Sequence, residues 1–177
     1  MSNRSYLVSS AGPELETSNS EALYWRSLLT EETLERHRAA WERAEHDEDP
    51  PAGLTTIVTT VGQARGPMAR FAELIADQVP GQRELYAEFA QLIGDASDDA
   101  TVSIDYEEIA WFTSHEEFFT DLVDAVRATH GGDLSWLPAK QDDPIADGFG
   151  FYSNDEQAGP AWRAAAAEID YLRPRGR

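Results

Sequence analysis

The sequence predicts an α+β fold, with a central sheet of three to five strands and helices packed on it. Three observations lead to this prediction. Several segments have apolar residues at helical spacing together with residues that typically begin or end a helix. Short runs of β-branched residues, or of alternating apolar and polar residues, lie between these segments. The 177 residues are also enough to form one hydrophobic core. We therefore expect a single domain over residues 1–177, with a frayed tail at 172–177.

The clearest helix is predicted at Ser114–Thr129. Ser114 and Glu117 have the spacing of a capping box, in which each side chain accepts a hydrogen bond from the other residue's backbone. Gly131 then supplies a residue type that commonly ends a helix. Between these signals, the apolar residues lie on one helical face: Phe118, Phe119, Leu122, Val123 and Val126.

Two more helices are predicted at Pro67–Val79 and Arg83–Ile93, separated by the turn-forming pair Pro80-Gly81. Pro67 suits a first helical turn, where its missing N–H costs nothing. Shorter helices are expected from about Leu23 to Leu29, from Thr30 to about Ala44, and after Pro160.

Strands are predicted where β-branched or alternating apolar residues occur, at Thr55–Val61, Val102–Tyr106 and Tyr6–Val8. Ile109–Phe112 is expected to continue the second of these strands or to pair with it. Phe149–Phe151 is expected to form one more. The predicted order is β-α-α-β-α-α-β-α-β-α.

The composition predicts a cytoplasmic protein without metal or cofactor. There are no cysteines, the four histidines are dispersed, and no apolar stretch approaches the ~18 residues of a membrane span. The N-terminal residues also lack the pattern of a signal peptide. Gly62–Pro67 has the position of a phosphate loop but lacks its Lys-Ser/Thr ending, so we interpret it as an ordinary strand-to-helix turn.

The chain is strongly acidic, with 33 acidic against 14 basic residues and a formal charge of −19. Such a charge repels nucleic-acid phosphates and anionic membranes, so neither is an expected partner. Two explanations stay open. On the first, the acidity reflects a bias shared by all proteins of the organism, and the preference for arginine over lysine agrees with this explanation. On the second, the acidic residues form a surface that binds a basic protein partner.

The acidic residues are concentrated in one stretch, since Glu84–Val126 contains no lysine or arginine. Either this stretch forms a solvated surface balanced by arginines from elsewhere, such as Arg65, Arg70 and Arg83, or it forms one continuous docking surface. On the second interpretation, eight residues would bind the partner: Asp98, Asp99, Asp105, Glu107, Glu108, Glu117, Asp121 and Asp124.

The opening residues, Asn3-Arg4-Ser5-Tyr6-Leu7, resemble the start of an uncharacterised bacterial domain-of-unknown-function family. The apolar segment ending in Leu28-Leu29 and the acidic segment Val102–Ile109 are similar to the family as well. The resemblance implies a bacterial, cytoplasmic, single-domain protein. It implies no activity and no catalytic residues.

Two functions of different classes follow. The first is an acidic interaction module, such as an inhibitor or immunity-type protein that covers a basic site on a toxin or nuclease. The alternative is an enzyme or small-ligand-binding protein with a site assembled from scattered residues, for instance Arg4, Tyr6, Trp25 and Trp111 at one end of the sheet. A convex acidic face would favour the first, and a concave pocket with convergent polar groups the second. The oligomeric state and the strand order stay open.

Overall fold

The structure is a computed structural model that describes residues 3–12, 14–18, 21–44, 53–110, 114–134, 143–169 and 172. It confirms the α+β fold with a central sheet and packed helices. Trp111 and nearly all of the predicted 172–177 tail lie outside the described residues.

Among the described residues, the sheet has five strands: β1 (Arg4–Ser9), β2 (Glu14–Ser18), β3 (Thr56–Thr60), β4 (Thr101–Asp105) and β5 (Phe151–Tyr152). Their order across the sheet is β3-β4-β1-β2-β5, and each neighbouring pair is antiparallel. The strands predicted from residues 6, 55 and 102 are confirmed. Strand β2 was not predicted, because its sequence ELETS has a single large apolar residue, Leu15.

In the part of the chain that the structure describes, six α-helices lie between and after the strands: α1 (Glu31–Ala44), α2 (Val61–Gln78), α3 (Arg83–Gly94), α4 (Glu107–Ala110), α5 (His115–His130) and α6 (Pro160–Glu168). A 3₁₀ helix at Leu23–Leu28 precedes α1, and a π-helical turn at Ile145–Phe149 precedes β5. The three long predicted helices are confirmed as α2, α3 and α5. The shorter predicted helices correspond to Leu23–Leu28, α1 and α6.

The predicted start of α2 is wrong, because the helix begins at Val61 rather than at Pro67. Thr60 Oγ1 accepts a hydrogen bond from the Gln63 backbone N–H at 3.2 Å, and the Gln63 side chain accepts one from the Thr60 N–H at 3.2 Å. This capping box starts the helix directly after β3. Residues 62–67 therefore form helical turns, and Pro67 lies inside α2.

The prediction that Ile109–Phe112 continues or pairs with β4 is wrong for its described part, residues 109 and 110. The Asp105 carboxylate accepts a hydrogen bond from the Glu107 N–H at 2.9 Å, and the Ala110 N–H donates to the Tyr106 carbonyl at 2.8 Å. These local bonds turn the chain into the short helix α4.

The predicted strand at Phe149–Phe151 is displaced. Phe149 ends the π-helical turn, in which the Gly150 N–H donates to the Ile145 carbonyl at 2.6 Å, and β5 contains only Phe151 and Tyr152. Gly150 has φ = +97°, a conformation that favours glycine and directs the chain from the turn into the strand.

An aromatic cluster between the 3₁₀ helix, α2, α3 and the π-helical turn forms the centre of the core. Ring centroids are 4.8 Å apart for Phe71 and Tyr86, 5.1 Å for Tyr24 and Tyr86, and 5.5 Å for Phe89 and Phe149. All five side chains are buried. Edge and tilted contacts of this kind stabilise a core beyond the area they remove from water. The cluster holds the helices on one face of the sheet.

None of the helices in the described ranges combines the length and the apolar character that a membrane crossing demands.

Candidate interaction surface

The sheet face opposite the helices is exposed, and we call it the open face. Successive strand residues point to opposite faces, and Leu7, Leu15, Ile57 and Ile104 point into the core. The open face is therefore formed by their neighbours along each strand: Arg4, Tyr6, Val8, Glu14, Glu16, Ser18, Thr56, Val58, Thr60, Thr101, Ser103, Asp105 and Phe151.

Two exposed valines lie in one row of the open face, one on the central strand β1 and one on the edge strand β3. Val8 of β1 pairs with Ser103 of β4, and Ser103 pairs in turn with Val58 of β3. With strands about 4.8 Å apart, the two valine Cα atoms are about 10 Å from each other. Their side chains are 42% and 44% exposed. Two apolar side chains, with Ser103 between them, are therefore presented to solvent.

The next row combines an aromatic side chain with acidic neighbours. Tyr6 lies between Asp105 on one side and Glu16 on the other, and Phe151 follows Glu16. Glu16 is paired with Arg4, whose guanidinium is 3.1 Å away, and this pair is one reason that the pKa of Arg4 is raised. The row is half-buried and carries net negative charge.

Five of the eight predicted partner-binding acids belong to β4 and its two ends. Asp98 and Asp99 precede the strand, Asp105 ends it, and Glu107 and Glu108 follow it. Their carboxylates are not all free. Arg65 donates to Asp98 at 2.7 Å, and the Arg4 backbone N–H donates to Glu108 at 2.8 Å.

Asp98 is therefore neutralised by an arginine from α2, as the balanced-surface interpretation predicted. Asp99, beside it, is fully exposed, and a hydrogen bond from the Ser97 side chain lowers the pKa of its carboxyl group. Asp99 is thus a charged group at the β3–β4 end of the open face.

The other three predicted acids, Glu117, Asp121 and Asp124, lie on α5 in the helix layer. Arg127, one turn beyond Asp124, donates to that carboxylate at 2.9 Å and to Glu31 of α1 at 3.1 Å. The sequence analysis missed Arg127 because it comes directly after the stretch without basic residues, although its i,i+3 spacing from Asp124 is a usable signal. Five of the eight acids thus belong to β4 and its two ends, and three belong to α5.

The site expected for the alternative function is not assembled. Arg4 and Tyr6 lie on the open face, whereas Trp25 is fully buried on the helix side and donates its indole N–H to the Phe149 carbonyl at 3.0 Å. Trp111 lies outside the described residues. The prediction that Arg4, Tyr6 and Trp25 share a pocket is therefore wrong.

A buried polar cluster lies beside the end of β4. The Tyr106 hydroxyl donates to a Glu21 carboxylate oxygen at 3.3 Å, and Glu21 forms an ion pair with Arg26. Burial, followed by the charge of Glu21, raises the pKa of Tyr106. Each of these groups has a partner, so the cluster satisfies buried polar atoms and anchors the 3₁₀ helix.

Concave surface is found instead on both sides of α6. A cleft of about 640 Å³ lies between α6 and α3, and a cavity of about 550 Å³ lies between α6 and the turn that begins α3. Within the described part of the chain, no group of three or more histidine, aspartate or glutamate side chains is arranged to hold a metal ion.

No protein-family model matches the chain, and neither a curated protein nor a solved structure was found to match it. The family resemblance of the opening residues stays a prediction.

Proposed function

We propose that the chain is an acidic interaction module of the bacterial cytoplasm, and that the open face with the acids at its ends binds a basic protein. An inhibitor or immunity-type protein covering the basic site of a toxin or nuclease fits this description. The observation that carries the proposal is the exposed pair Val8 and Val58, on a face that also carries Glu14, Glu16 and Asp105.

The arrangement of residue types on the open face supports binding to a protein. Interfaces commonly have an apolar and aromatic centre within a polar rim. Here Val8 and Tyr6 lie on the central strand β1, Glu14 and Asp105 lie beside them on the neighbouring strands, and Val58 lies on the edge strand β3. Large apolar side chains exposed together are uncommon on a surface with no partner.

The charge of the chain supports a basic partner rather than a second copy. Two open faces brought together would place Glu14 and Asp105 against like charges, in a protein that already carries −19. Like charges across an interface are unfavourable, and complementary charges accelerate association.

The size of the surface indicates that the strand ends take part. Four strands of five or six residues and one of two, about 4.8 Å apart, give a face of roughly 360 Å². A standard interface buries about 800 Å² on each partner. Contacts with Asp99 and Glu107 at the two ends of β4 would enlarge the open face toward that size.

The test compares two charge-reversed variants, each of which changes the net charge by the same amount. Glu14→Lys with Asp99→Lys alters the open face and its edge, and Glu117→Lys with Asp121→Lys alters α5. The partner is isolated by pull-down from the source cells with the unmodified chain, and association rates are measured at several salt concentrations. We expect the first variant to slow association by about tenfold or more and to flatten its salt dependence, with a smaller effect from the second.

A third variant, Val8→Ser with Val58→Ser, separates the apolar contact from the charge. We expect faster dissociation with little change in the association rate, because apolar contacts act after encounter. If the α5 variant alone slows association, the predicted Glu117 and Asp121 surface is the binding face. If neither charge-reversed variant changes the rate, the proposal is wrong.

A further inference from the structure

The outer edge of strand β3 lacks the usual protection of an edge strand. Among the described strands, β3 pairs with β4 alone, and the register of the two continues without a bulge. Its sequence TIVTT contains no charged residue and no proline. Charged side chains, prolines and bulges are common means by which edge strands avoid pairing with another chain. Strand β5, at the other edge, has only two residues, so β3 is the edge suited to accept a strand.

The backbone N–H and C=O of Val58 point out of the sheet. In an antiparallel pair, only every second residue hydrogen-bonds to a given neighbouring strand. The Thr55 carbonyl accepts a hydrogen bond from the Tyr106 N–H at 3.3 Å. At the other end of β3, the Val61 N–H donates to the Ala100 carbonyl at 2.9 Å. The odd-numbered residues of β3 therefore bond toward β4, and Val58 faces away from it.

Val58 is the outward-facing residue of β3 whose N–H and C=O are both open. The Thr56 N–H donates to the Gly53 carbonyl at 3.0 Å. The Thr60 N–H donates to the Gln63 side chain in the capping box of α2. Neither backbone group of Val58 has a hydrogen-bond partner among the described residues. A strand lying antiparallel along this edge can therefore exchange two hydrogen bonds with Val58.

Such a strand would extend the open face with a defined pattern of side chains. A residue opposite Val58 places its side chain beside that valine, on the same face of the sheet. A residue two positions further, opposite Thr56, lies two strand spacings or about 10 Å from Asp105, within the reach of a lysine or arginine. At the other end of the edge, Asp99 is fully exposed just before β4 begins. The edge thus offers an apolar position between two that favour basic residues.

We propose that the edge of β3 binds an extended segment of the basic partner, antiparallel to β3, with an apolar residue opposite Val58 and a basic residue two positions away on each side. The inference rests on the proposed function, because it assigns the conformation of the partner at one border of the open face. A second copy of the chain is less suited to this edge, since pairing two copies joins chains that each carry −19. A sixth strand also enlarges a face that is smaller than a standard interface.

The experiment is an NMR titration of the unmodified protein with three synthetic peptides, observing the backbone amide of Val58. The peptide acetyl-KTVTK-amide has the proposed pattern. The same peptide with an N-methylated central valine keeps the charge but loses the N–H that donates to the Val58 carbonyl. The peptide acetyl-ETVTE-amide reverses the charge. We expect the first peptide to shift the Val58 amide resonance and to bind about tenfold or more tightly than the other two.

Three outcomes of the titration overturn the proposal. The first is equal binding of the N-methylated peptide. The second is a shift of the Val8 amide without a shift of Val58, which would place the peptide on the open face instead. The third is a Val58 shift that depends on protein concentration without peptide, which would show that a second copy occupies the edge. None of them alters the charge-reversal test of the open face, because that test uses the partner isolated from the source cells.

Two variants of Val58 separate its N–H from its side chain, with binding of acetyl-KTVTK-amide followed on the peptide resonances. Val58→Pro removes the N–H, and circular dichroism checks its fold, which should persist because this N–H does not bond to β4. Val58→Thr keeps both the N–H and the β-branched shape. We expect binding to be lost in Val58→Pro and to weaken by less than about fivefold in Val58→Thr. Retained binding in a folded Val58→Pro, or an equal loss in the two variants, contradicts pairing at this edge.

Discussion

The Glu88 carboxylate occupies the space into which a side chain on Gly159 would project. From there it accepts hydrogen bonds from the Ala161 N–H at 2.7 Å and the Trp162 N–H at 3.1 Å. These are two of the free amides at the start of α6, and Gly159, which precedes the helix, has no side chain to cap them. Helix α6 is therefore capped by a residue of α3, far away in the sequence.

This relationship predicts a non-additive pair of substitutions. Glu88→Ala should lower the free energy of unfolding by about 1 kcal/mol, the usual cost of a lost cap. Gly159→Ala should cost a similar amount, because the new methyl group displaces the Glu88 carboxylate. In the Glu88→Ala background, Gly159→Ala should be neutral or slightly stabilising, since alanine restricts the unfolded chain. Urea denaturation of all four proteins checks this, and equal costs of Gly159→Ala in both backgrounds would contradict it.

Two other glycines should respond to alanine in opposite directions. Gly150 has φ = +97°, and an added Cβ would lie 3.1 Å from a ring carbon of Trp25 and 3.2 Å from the Glu16 carbonyl oxygen. Gly150→Ala should therefore destabilise the protein by about 1–3 kcal/mol. Gly66 lies inside α2 with open space around it, so Gly66→Ala should stabilise by up to about 1 kcal/mol. Thermal and urea unfolding measure both, and a loss of stability in Gly66→Ala would show that the comparison is wrong.

Stability should fall as the pH rises above 10. Burial raises the pKa of Tyr24, Tyr86 and Tyr106 above the ordinary value of 10.0, and burial with the charge of Glu88 raises that of Tyr152 to about 12. At a pH between the pKa of a tyrosine in the unfolded chain and its higher pKa in the folded protein, the unfolded chain releases a proton that the folded protein keeps. Each tyrosine therefore removes up to about 1.4 kcal/mol of stability per pH unit in that window, and its contribution is complete below pH 10.

The measurement is urea denaturation at intervals from pH 8 to above pH 11. In the matched variant, Tyr152→Phe, the free energy of unfolding should fall less steeply with pH, because the contribution of one tyrosine is removed. The raised tyrosine pKa values would be contradicted if the stability of the unmodified protein did not change with pH. They would also be contradicted if the variant lost stability as steeply as the unmodified protein does.

The capping box at the start of α2 should contribute to stability. Thr60→Ala removes the acceptor for the Gln63 N–H and should lower the free energy of unfolding by about 1 kcal/mol. Thr101 lies directly opposite Thr60 on β4 and is exposed, so Thr101→Ala should change stability by less than about 0.5 kcal/mol. Similar losses in the two variants would mean that strand propensity, not the cap, accounts for the effect.

Elements with local signals were predictable from the sequence. Helix α5 is an example, because its cap at Ser114 and its apolar face are set by residues within one or two turns of each other. The same holds for β4, whose alternation sends Val102 and Ile104 inward. The start of α2 was within reach too, since Thr60 and Gln63 have capping-box spacing.

Long-range pairing decided the rest. Strand β2 is defined by its register against β1, which pairs Leu15 with Leu7, and its own sequence has little apolar pattern. The pairing of Asp98 likewise depends on how the chain folds back, because Arg65 reaches it from another element.

The sequence by itself thus determined the main helices, most of the strands and the overall negative charge, because periodicity, caps and charge are properties of neighbouring residues. Only the tertiary structure decided that Val8 and Val58 lie in one exposed row, that Glu88 caps α6, and that the Tyr24 hydroxyl donates to the buried Gln82 side chain. Those relationships join residues far apart in the chain, and they exist only once strand order and helix packing bring them together.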